Sequence, residues 1–253
     1  MADVLLQARG LKREFRGFRA VDGVDLDVAD GAVHALVGPN GAGKTTLFNL
    51  LTGFLAPSAG SISIGGTETS RMRPDQIAEL GVARSFQITS LFEQLSCREH
   101  VELALQATTS LGYRFWRTSR LLARFRDRAD ELLDEVSLTA LADTPADELA
   151  YGQKRALELA VVLARDPRLM LLDEPTAGMG LEDVARTVEL IKRVRGGRTV
   201  VLIEHNMKVV GELADRVSVL QRGQLLAEGS YEQVRSDPAV IAAYLGDVDA
   251  QRH

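Results

Sequence analysis

Gly38-Pro39-Asn40-Gly41-Ala42-Gly43-Lys44-Thr45-Thr46 is the stretch on which the reading of this chain turns. Glycines placed ahead of Lys-Thr at this spacing let backbone N–H groups close around phosphate oxygens at a helix N-terminus. Lys44 then faces the β- and γ-phosphates of a nucleotide, and the Thr45 hydroxyl serves Mg2+. The flanks fit that reading. Ala32 to Val37 is nearly continuous in apolar character, as a central strand covered on both faces should be, and Leu47, Leu50 and Leu51 follow at helical spacing. A merely Gly-rich turn is the competing reading, and the strand–loop–helix setting weighs against it.

Such a loop needs a carboxylate at the end of a second strand to hold the metal. Asp173 directly follows the apolar run Leu169-Met170-Leu171-Leu172, and Glu174 comes next. In a parallel sheet the carboxyl ends of the strands face the nucleotide, so Asp173 serves the metal while Glu174 reaches an attacking water. Taken alone, Asp-Glu-Pro after a strand reads as an ordinary turn; the phosphate loop reverses that judgement.

Outward from these two segments the pattern alternates between sheet and helix. Val24, Leu26 and Val28 have the period of two of a half-buried antiparallel sheet, Ser61 to Gly66 repeats it into a turn, and Val82 to Phe86 reads as a short strand. From about 89 to 150 helical spacing takes over, with Ser96-x-x-Glu99 resembling a capping box ahead of Val101, Leu103, Ala104 and Leu105. Thr199 to Ile203 is another apolar strand, preceded by a helix with Leu181, Val184, Val188 and Ile191 at apolar positions. Val217 to Ala227 reads as a hairpin turning at Arg222-Gly223, and Ala239 to Leu245 as a closing helix. Strands alternating with helices imply a parallel α/β sheet.

Composition bounds the function. The chain has 253 residues, 45% apolar and 26% charged, which excludes disordered, collagen-like and low-complexity architectures. A formal charge of −5 gives the chain as a whole no electrostatic reason to bind nucleic acid. Cys97 is the single cysteine, so no internal disulfide and no spaced Cys/His zinc site is available. No apolar run approaches the roughly 18 residues a membrane-spanning helix needs, and Met1 to Leu6 lacks a secretory signal pattern, so the expected location is cytoplasmic.

In this order the motifs resemble the ATP-binding subunits of ABC transporters. The resemblance rests on 38–45, on Gln87 in Ser85-Phe86-Gln87, on Leu149-Ala150-Tyr151-Gly152-Gln153, on Asp173-Glu174-Pro175-Thr176, and on His205 in Ile203-Glu204-His205. It implies an α/β fold: a P-loop (RecA-like) ATPase core with an antiparallel β subdomain, spanning 1–88 and 151–235, an inserted α-helical subdomain at 89–150, and a C-terminal helix and tail at 236–253. It also implies ATP and Mg2+ as cofactors, with Gly38, Pro39, Asn40, Gly41, Ala42, Gly43, Lys44, Thr45 and Thr46 on the phosphates. Phe15 matches the aromatic that stacks on adenine, Gln87 the residue that touches Mg2+ and senses the membrane partner, and His205 the γ-phosphate contact. By the same resemblance Ala150, Tyr151, Gly152 and Gln153 close on the ATP of a second subunit, so the active unit is a dimer. The chain departs from the commonest pattern here, with Ala150 for a serine and Tyr151 for a glycine; Gly180 stands where many members place an aspartate.

Between Lys44 and Gly152 the chain holds a helical lobe and is far too short for the long coiled coils of chromosome and repair ATPases. Thr52-Gly53-Phe54, Ala83-Arg84-Ser85-Phe86-Gln87, Ile203-Glu204-His205-Asn206-Met207 and Ala243-Tyr244-Leu245-Gly246 are similar to the ATP-binding subunits of branched-chain amino-acid importers. Amide and urea importers are close in pattern, and a non-transport ABC ATPase acting on nucleic acid or protein complexes is the rival from another class. The importer reading implies a second ATP-binding subunit, identical or homologous, transmembrane permease subunits and, indirectly, a solute-binding protein, at the cytoplasmic face of the plasma membrane. It places the permease contact at 87–99, with Leu91, Phe92 and Leu95 as apolar candidates; ordinary packing inside the lobe is the alternative. Tyr113 to Arg128 carries six arginines against the single acid Asp127, with Tyr113, Phe115 and Trp116 among them, and reads either as a lipid contact or as the solvated face of a helix.

Overall fold

The computed structural model describes residues 3–85, 91–107 and 119–250. Its N-terminal alternation folds as expected: β1 (Val4–Phe15) and β2 (Phe18–Ala29) form an antiparallel hairpin, with Val24, Leu26 and Val28 buried and Asp25 and Asp27 exposed between them. With β4 (Ala59–Ile64) and β5 (Thr67–Glu68) they make a four-stranded antiparallel sheet in the order β2-β1-β4-β5.

The second sheet is six-stranded, in the order β10-β9-β3-β8-β7-β6. Its members are β3 (Val33–Val37), β6 (Val82–Arg84), β7 (Leu169–Asp173), β8 (Thr199–Ile203), β9 (Arg216–Gln221) and β10 (Gln224–Gly229). All pairs are parallel except β9 with β10, the hairpin that turns at Arg222-Gly223. Every residue of β3, β7 and β8 is buried, which is why these strands read as nearly continuous apolar runs. The strand expected over 82–86 is three residues long, and Phe86 lies outside the described residues.

Helix α1 (Lys44–Leu51) joins both sheets in one hydrophobic cluster. Leu47, Phe48 and Leu51 are fully buried there with Leu6, Leu11 and Leu26 of the antiparallel sheet and Leu36, Leu171 and Val201 of the parallel one. The chain divides into two compact units: Met1–Arg84, Arg168–Pro175 and Gly197–His253 in one, Ser85–Pro167 and Thr176–Gly196 in the other. The first also holds α2 (Pro74–Glu79), α7 (Met207–Leu213), α8 (Tyr231–Ser236) and α9 (Pro238–Ala250).

The second unit is helical: α3 (Cys97–Ala107), α4 (Ser119–Glu135), α5 (Tyr151–Leu163) and α6 (Leu181–Val194). The Ser96–Glu99 capping box forms, the Ser96 N–H donating to Glu99 Oε2 at 2.8 Å and the Glu99 N–H to Ser96 Oγ at 3.3 Å. Arg98 ties α3 to Asp130 of α4 at 2.8 Å and also pairs with Asp143. Cys97 is buried, and burial pushes its thiol pKa up. In α6 the buried residues are Val188, Leu190, Ile191 and Val194, whereas Leu181 is 87% exposed. Of the arginine-rich stretch, Tyr113 to Thr118 falls outside the described residues; Arg124 and Arg126 of α4 are exposed and Arg128 pairs with Glu131 at 2.7 Å, as a solvated helix face would. None of the described helices is long and apolar enough to cross a membrane.

One polar chain runs through the core of the parallel sheet. Ser218 Oγ donates to Glu228 Oε2 at 2.7 Å, so its single proton is committed and the buried His34 must donate from Nε2 to Ser218 Oγ, 2.8 Å away. Burial lowers the His34 pKa from 6.5 to about 4, with Glu228 opposing and Arg216 reinforcing the shift. The unfolded chain therefore takes up a proton below pH 6.5 that the folded chain refuses until about pH 4, and stability falls as pH drops through that window. Between pH 7.5 and 5.0, urea denaturation should show a loss about 2 kcal/mol larger in the wild type than in His34→Gln. Equal losses would contradict the assignment.

Candidate nucleotide site

The parallel register aligns the chemistry. Ile203 of β8 lies opposite Leu36 of β3 on one side and Asp173 of β7 on the other, so the three strands end together, at Gly38, Glu174 and Glu204. Two hydrogen bonds hold the ends: the Glu174 N–H donates to Ile203 O at 3.0 Å, and the Glu204 N–H reaches Leu36 O at 3.4 Å. Glu174 has a left-handed backbone, φ 47°, a conformation that a non-glycine residue adopts at a cost of about 1–3 kcal/mol. That turn directs the chain after β7 away from the strand axis immediately behind Asp173.

The phosphate loop bends in the same compact unit. Gly38, Gly41 and Gly43 have φ of 148°, 76° and 101°. A Cβ on Gly38 would run into the Leu220 carbonyl oxygen and one on Gly43 into that of Ala20, so glycine is required at both for steric reasons beyond conformation. The Gly223 N–H, in the β9–β10 turn, donates to Ala42 O at 2.9 Å and pins the loop from the other side. Gly43 is the N-cap of α1 with no side-chain cap, which leaves the first-turn N–H groups facing the loop's concavity. Lys44 Nζ donates to Gly38 O at 2.6 Å and Pro39 O at 3.0 Å, folding the ammonium back over the loop. Thr45 is exposed at the first turn, Thr46 half-buried behind it, and Asn40 and Gly41 are exposed at the tip.

Phe15 is exposed at the end of β1, where the Arg13 guanidinium lies 4.6 Å from its ring centroid. His205 is exposed after β8; its N–H donates to Oε2 of the fully buried Glu204 at 3.1 Å, as does that of Asn206 at 3.3 Å. Gln87 lies outside the described residues.

Ala150 to Gln153 belongs to the helical unit. Gln153 Oε1 accepts from the Ala150 N–H at 2.9 Å, which is half of a capping box; Ala150 has no oxygen with which to return the bond. Tyr151, in place of a glycine, donates its hydroxyl to Ala177 O and accepts from Arg155 Nη2, both at 3.0 Å. Arg155 is itself held by Glu158 at 2.8 Å, and burial pushes the Glu158 carboxyl pKa up against that pairing. Gly152 is constrained by α6: a Cβ there would meet Asp183 Oδ1 at 3.2 Å.

Sequence reasoning missed Arg84. It ends β6, with its side chain 10% exposed, and Nη2 donates to Asp173 Oδ2 at 2.8 Å, the Asp173 side chain being 1% exposed. A charged residue closing an apolar strand was the available signal. The Thr45 hydroxyl and Asp173 carboxylate are hard oxygen donors of the kind Mg2+ takes together with phosphate oxygens and water. Among the described residues no group of three or more His, Cys, Asp or Glu could hold a metal ion without such help.

A phosphate loop closing a buried strand, in the same parallel sheet as a strand that ends at two acids one strand further along, defines a P-loop ATPase cassette. The chain belongs to the ABC transporter family, whose profile matches residues 21–177; a second profile, branched-chain amino acid ATP-binding cassette transporter, matches residues 224–250. It is an ABC-type ATPase. The chain is 39% identical to the high-affinity branched-chain amino acid transport ATP-binding protein BraF of Pseudomonas aeruginosa, over 98% of this chain and all of BraF. Its identity to the corresponding LivG of Escherichia coli is also 39%, with the same coverage. The crystal structure of the ADP conformation of MJ1267, an ATP-binding cassette of an ABC transporter, superposes with a TM-score of 0.86 at 28% identity, over 97% of this chain and all of that one.

The loop geometry makes a graded prediction. Gly43→Ala combines positive-φ strain with a backbone collision, whereas Gly41→Ala meets nothing within 4 Å and carries the strain alone. Gly43→Ala should weaken ATP binding by at least about tenfold, some 1.4 kcal/mol, and lower the thermal midpoint more than Gly41→Ala does. Fluorescent-nucleotide titration and thermal denaturation of both variants check the order.

Proposed function

We propose that this chain is the ATP-hydrolysing subunit of an importer for branched-chain amino acids, in which ATP-driven closure of two such subunits is coupled to solute uptake. The observation that supports the substrate class is the full-length similarity to BraF and LivG, joined to the branched-chain amino acid profile over 224–250. The chemistry rests on the common end of β3, β7 and β8.

The loop N–H groups and Lys44 offset the charge of the β- and γ-phosphates, exchanging the ammonium's bonds to Gly38 O and Pro39 O for phosphate oxygens. Phe15 supplies an exposed ring for adenine. Thr45 and Asp173, with Gln87, hold Mg2+, which when bound neutralises phosphate charge. Glu174 takes a proton from the attacking water as its oxygen bonds to the γ-phosphorus; the bond to the β–γ bridging oxygen breaks, releasing ADP and phosphate. His205 orients the γ-phosphate. Ala150 to Gln153 meets the γ-phosphate held by a second subunit through the α5 N-terminus and Gly152 N–H. The assembly stands at the cytoplasmic face of a membrane because its permease partners span it.

Glu174→Gln should retain ATP binding but slow hydrolysis on the order of 100-fold, and the closed dimer should accumulate with Mg-ATP in size-exclusion runs. Wild-type turnover in that variant would remove Glu174 from the role of base. Transport by the reconstituted complex, with leucine and urea compared as solutes, tests the substrate class.

The permease contact has its own test. Phe92 is 60% exposed; its N–H donates to His100 Nε2 at 2.9 Å while His100 Nδ1 donates to Ser96 O at 2.8 Å, so the residue is held in place without being buried. Leu91 and Leu95 are half-buried. Phe92→Asp should spare folding and basal ATPase but abolish co-purification with the permease, since a carboxylate is strongly penalised only where the partner covers it. Loss of the thermal transition in the isolated variant would show that Phe92 serves the stability of the lobe itself and would remove it from the permease contact.

A further inference from the structure

Arg84 is more than a charged end to β6. Its Nη2 donates to Asp173 Oδ2 at 2.8 Å and its Nη1 to Asn49 Oδ1 at 2.6 Å, with Thr52 Oγ1 at 3.4 Å. Asn49 is in α1 and Thr52 closes it, and α1 starts at Lys44. The guanidinium carbon also lies 5.6 Å from the Phe48 ring and 5.9 Å from the Phe54 ring, so the cation sits between aromatic groups and a carboxylate rather than in water. One side chain thus links the helix that opens at the phosphate loop to the strand that ends in the acid pair.

The electrostatics of that link bear on metal uptake. The Asp173 side chain is 1% exposed with the Arg84 guanidinium 2.8 Å from its Oδ2, and a fixed positive charge at that distance repels a divalent cation approaching the same carboxylate. Arginine and Mg2+ are alternative sources of the positive charge that Asp173 requires. We propose that Arg84 is a positioning residue that acts as the built-in counter-charge of Asp173 and thereby sets how strongly the nucleotide site takes up Mg2+. The proposal rests on the assignment of Asp173 to the metal.

The experiment measures metal uptake rather than turnover. The full chain, wild type and Arg84→Met, is first melted in EDTA with a fixed concentration of a non-hydrolysable ATP analogue; Mg2+ is then titrated and its half-saturating concentration read from nucleotide fluorescence and from the thermal midpoint. Arg84→Met should melt lower in EDTA and show a half-saturating Mg2+ at least about tenfold below the wild-type value, because the metal no longer competes with a fixed cation. Arg84→Lys keeps the charge and should stay within about threefold of wild type; a shift as large as that of Arg84→Met would assign the effect to geometry and overturn the counter-charge role.

Asp173→Asn separates the two layers of the argument. If it weakens Mg2+ uptake while Arg84→Met leaves the wild-type midpoint, the proposal alone falls; a wild-type midpoint in Asp173→Asn overturns the metal assignment and the proposal with it. Should Arg84→Met yield no folded protein, the double variant Arg84→Met/Asp173→Asn carries the test, since it removes both charges together. Recovery of folding in the double variant supports the counter-charge, and failure of both variants to fold shows that Arg84 acts through packing alone.

Discussion

Two backbone carbonyls, those of Ala20 and Leu220, leave the phosphate loop no room for a side chain at two of its positions. Gly43 lies against the first and Gly38 against the second, each so closely that a methyl group has no room. Ala20 belongs to β2 of the antiparallel sheet and Leu220 to β9 of the parallel sheet, so the loop is shaped by both sheets at once. The hydrophobic cluster around Leu47, Phe48 and Leu51 is what keeps those two walls in place beneath it. The loop's conformation is therefore a tertiary property, although its glycine requirement is written locally.

The same logic governs the charged groups. Lys44 donates to two loop carbonyls, and Arg84 faces Asp173, so both of these buried charges meet a group of opposite polarity inside the fold. Burying such groups without a partner would cost several kcal/mol apiece. Partnering them internally lets the fold keep these charges in a low-dielectric setting; on the function proposed above, a phosphate or metal would exchange with these partners rather than simply add to them.

How much of this was legible in the sequence depended on whether a residue's role is set by its own backbone or by distant chain. The loop glycines, the apolar run ahead of Asp173 and the Ser96–Glu99 box are local requirements, and each stood where the pattern put it. Arg84 stands in the Ala83-Arg84-Ser85-Phe86-Gln87 motif, but nothing in the sequence gives it a partner, because Asn49 and Asp173 are remote along the chain. Leu181 misled in the opposite sense: its spacing matches the apolar face of α6, but it occupies the first helical position, where the chain has yet to meet its packing partners, and it is exposed. The helical insertion was visible as a change of period, whereas the grouping of α5 and α6 with α3 and α4 in one compact unit depends on long-range packing that no periodicity encodes.

Ala150 and Tyr151 show how a departure from a common motif can be absorbed. A serine at the N-cap of α5 would offer an oxygen to the helix's own first-turn N–H groups; alanine offers none, and no side chain caps them. The lost bond is worth about 1 kcal/mol to the helix, but the N–H groups keep their full donor capacity for an anion at that end. Polar function has moved one residue on: the Tyr151 hydroxyl bonds the carbonyl of Ala177, in the loop that follows Glu174 along the chain, and Arg155 holds that hydroxyl from the next turn of the helix. The substitution exchanges a contact within one helix for a tie between the start of α5 and the segment leading to α6. A glycine at 151 could make no such tie, so the aromatic residue is a structural gain that accompanies the missing hydroxyl rather than a second defect in the motif.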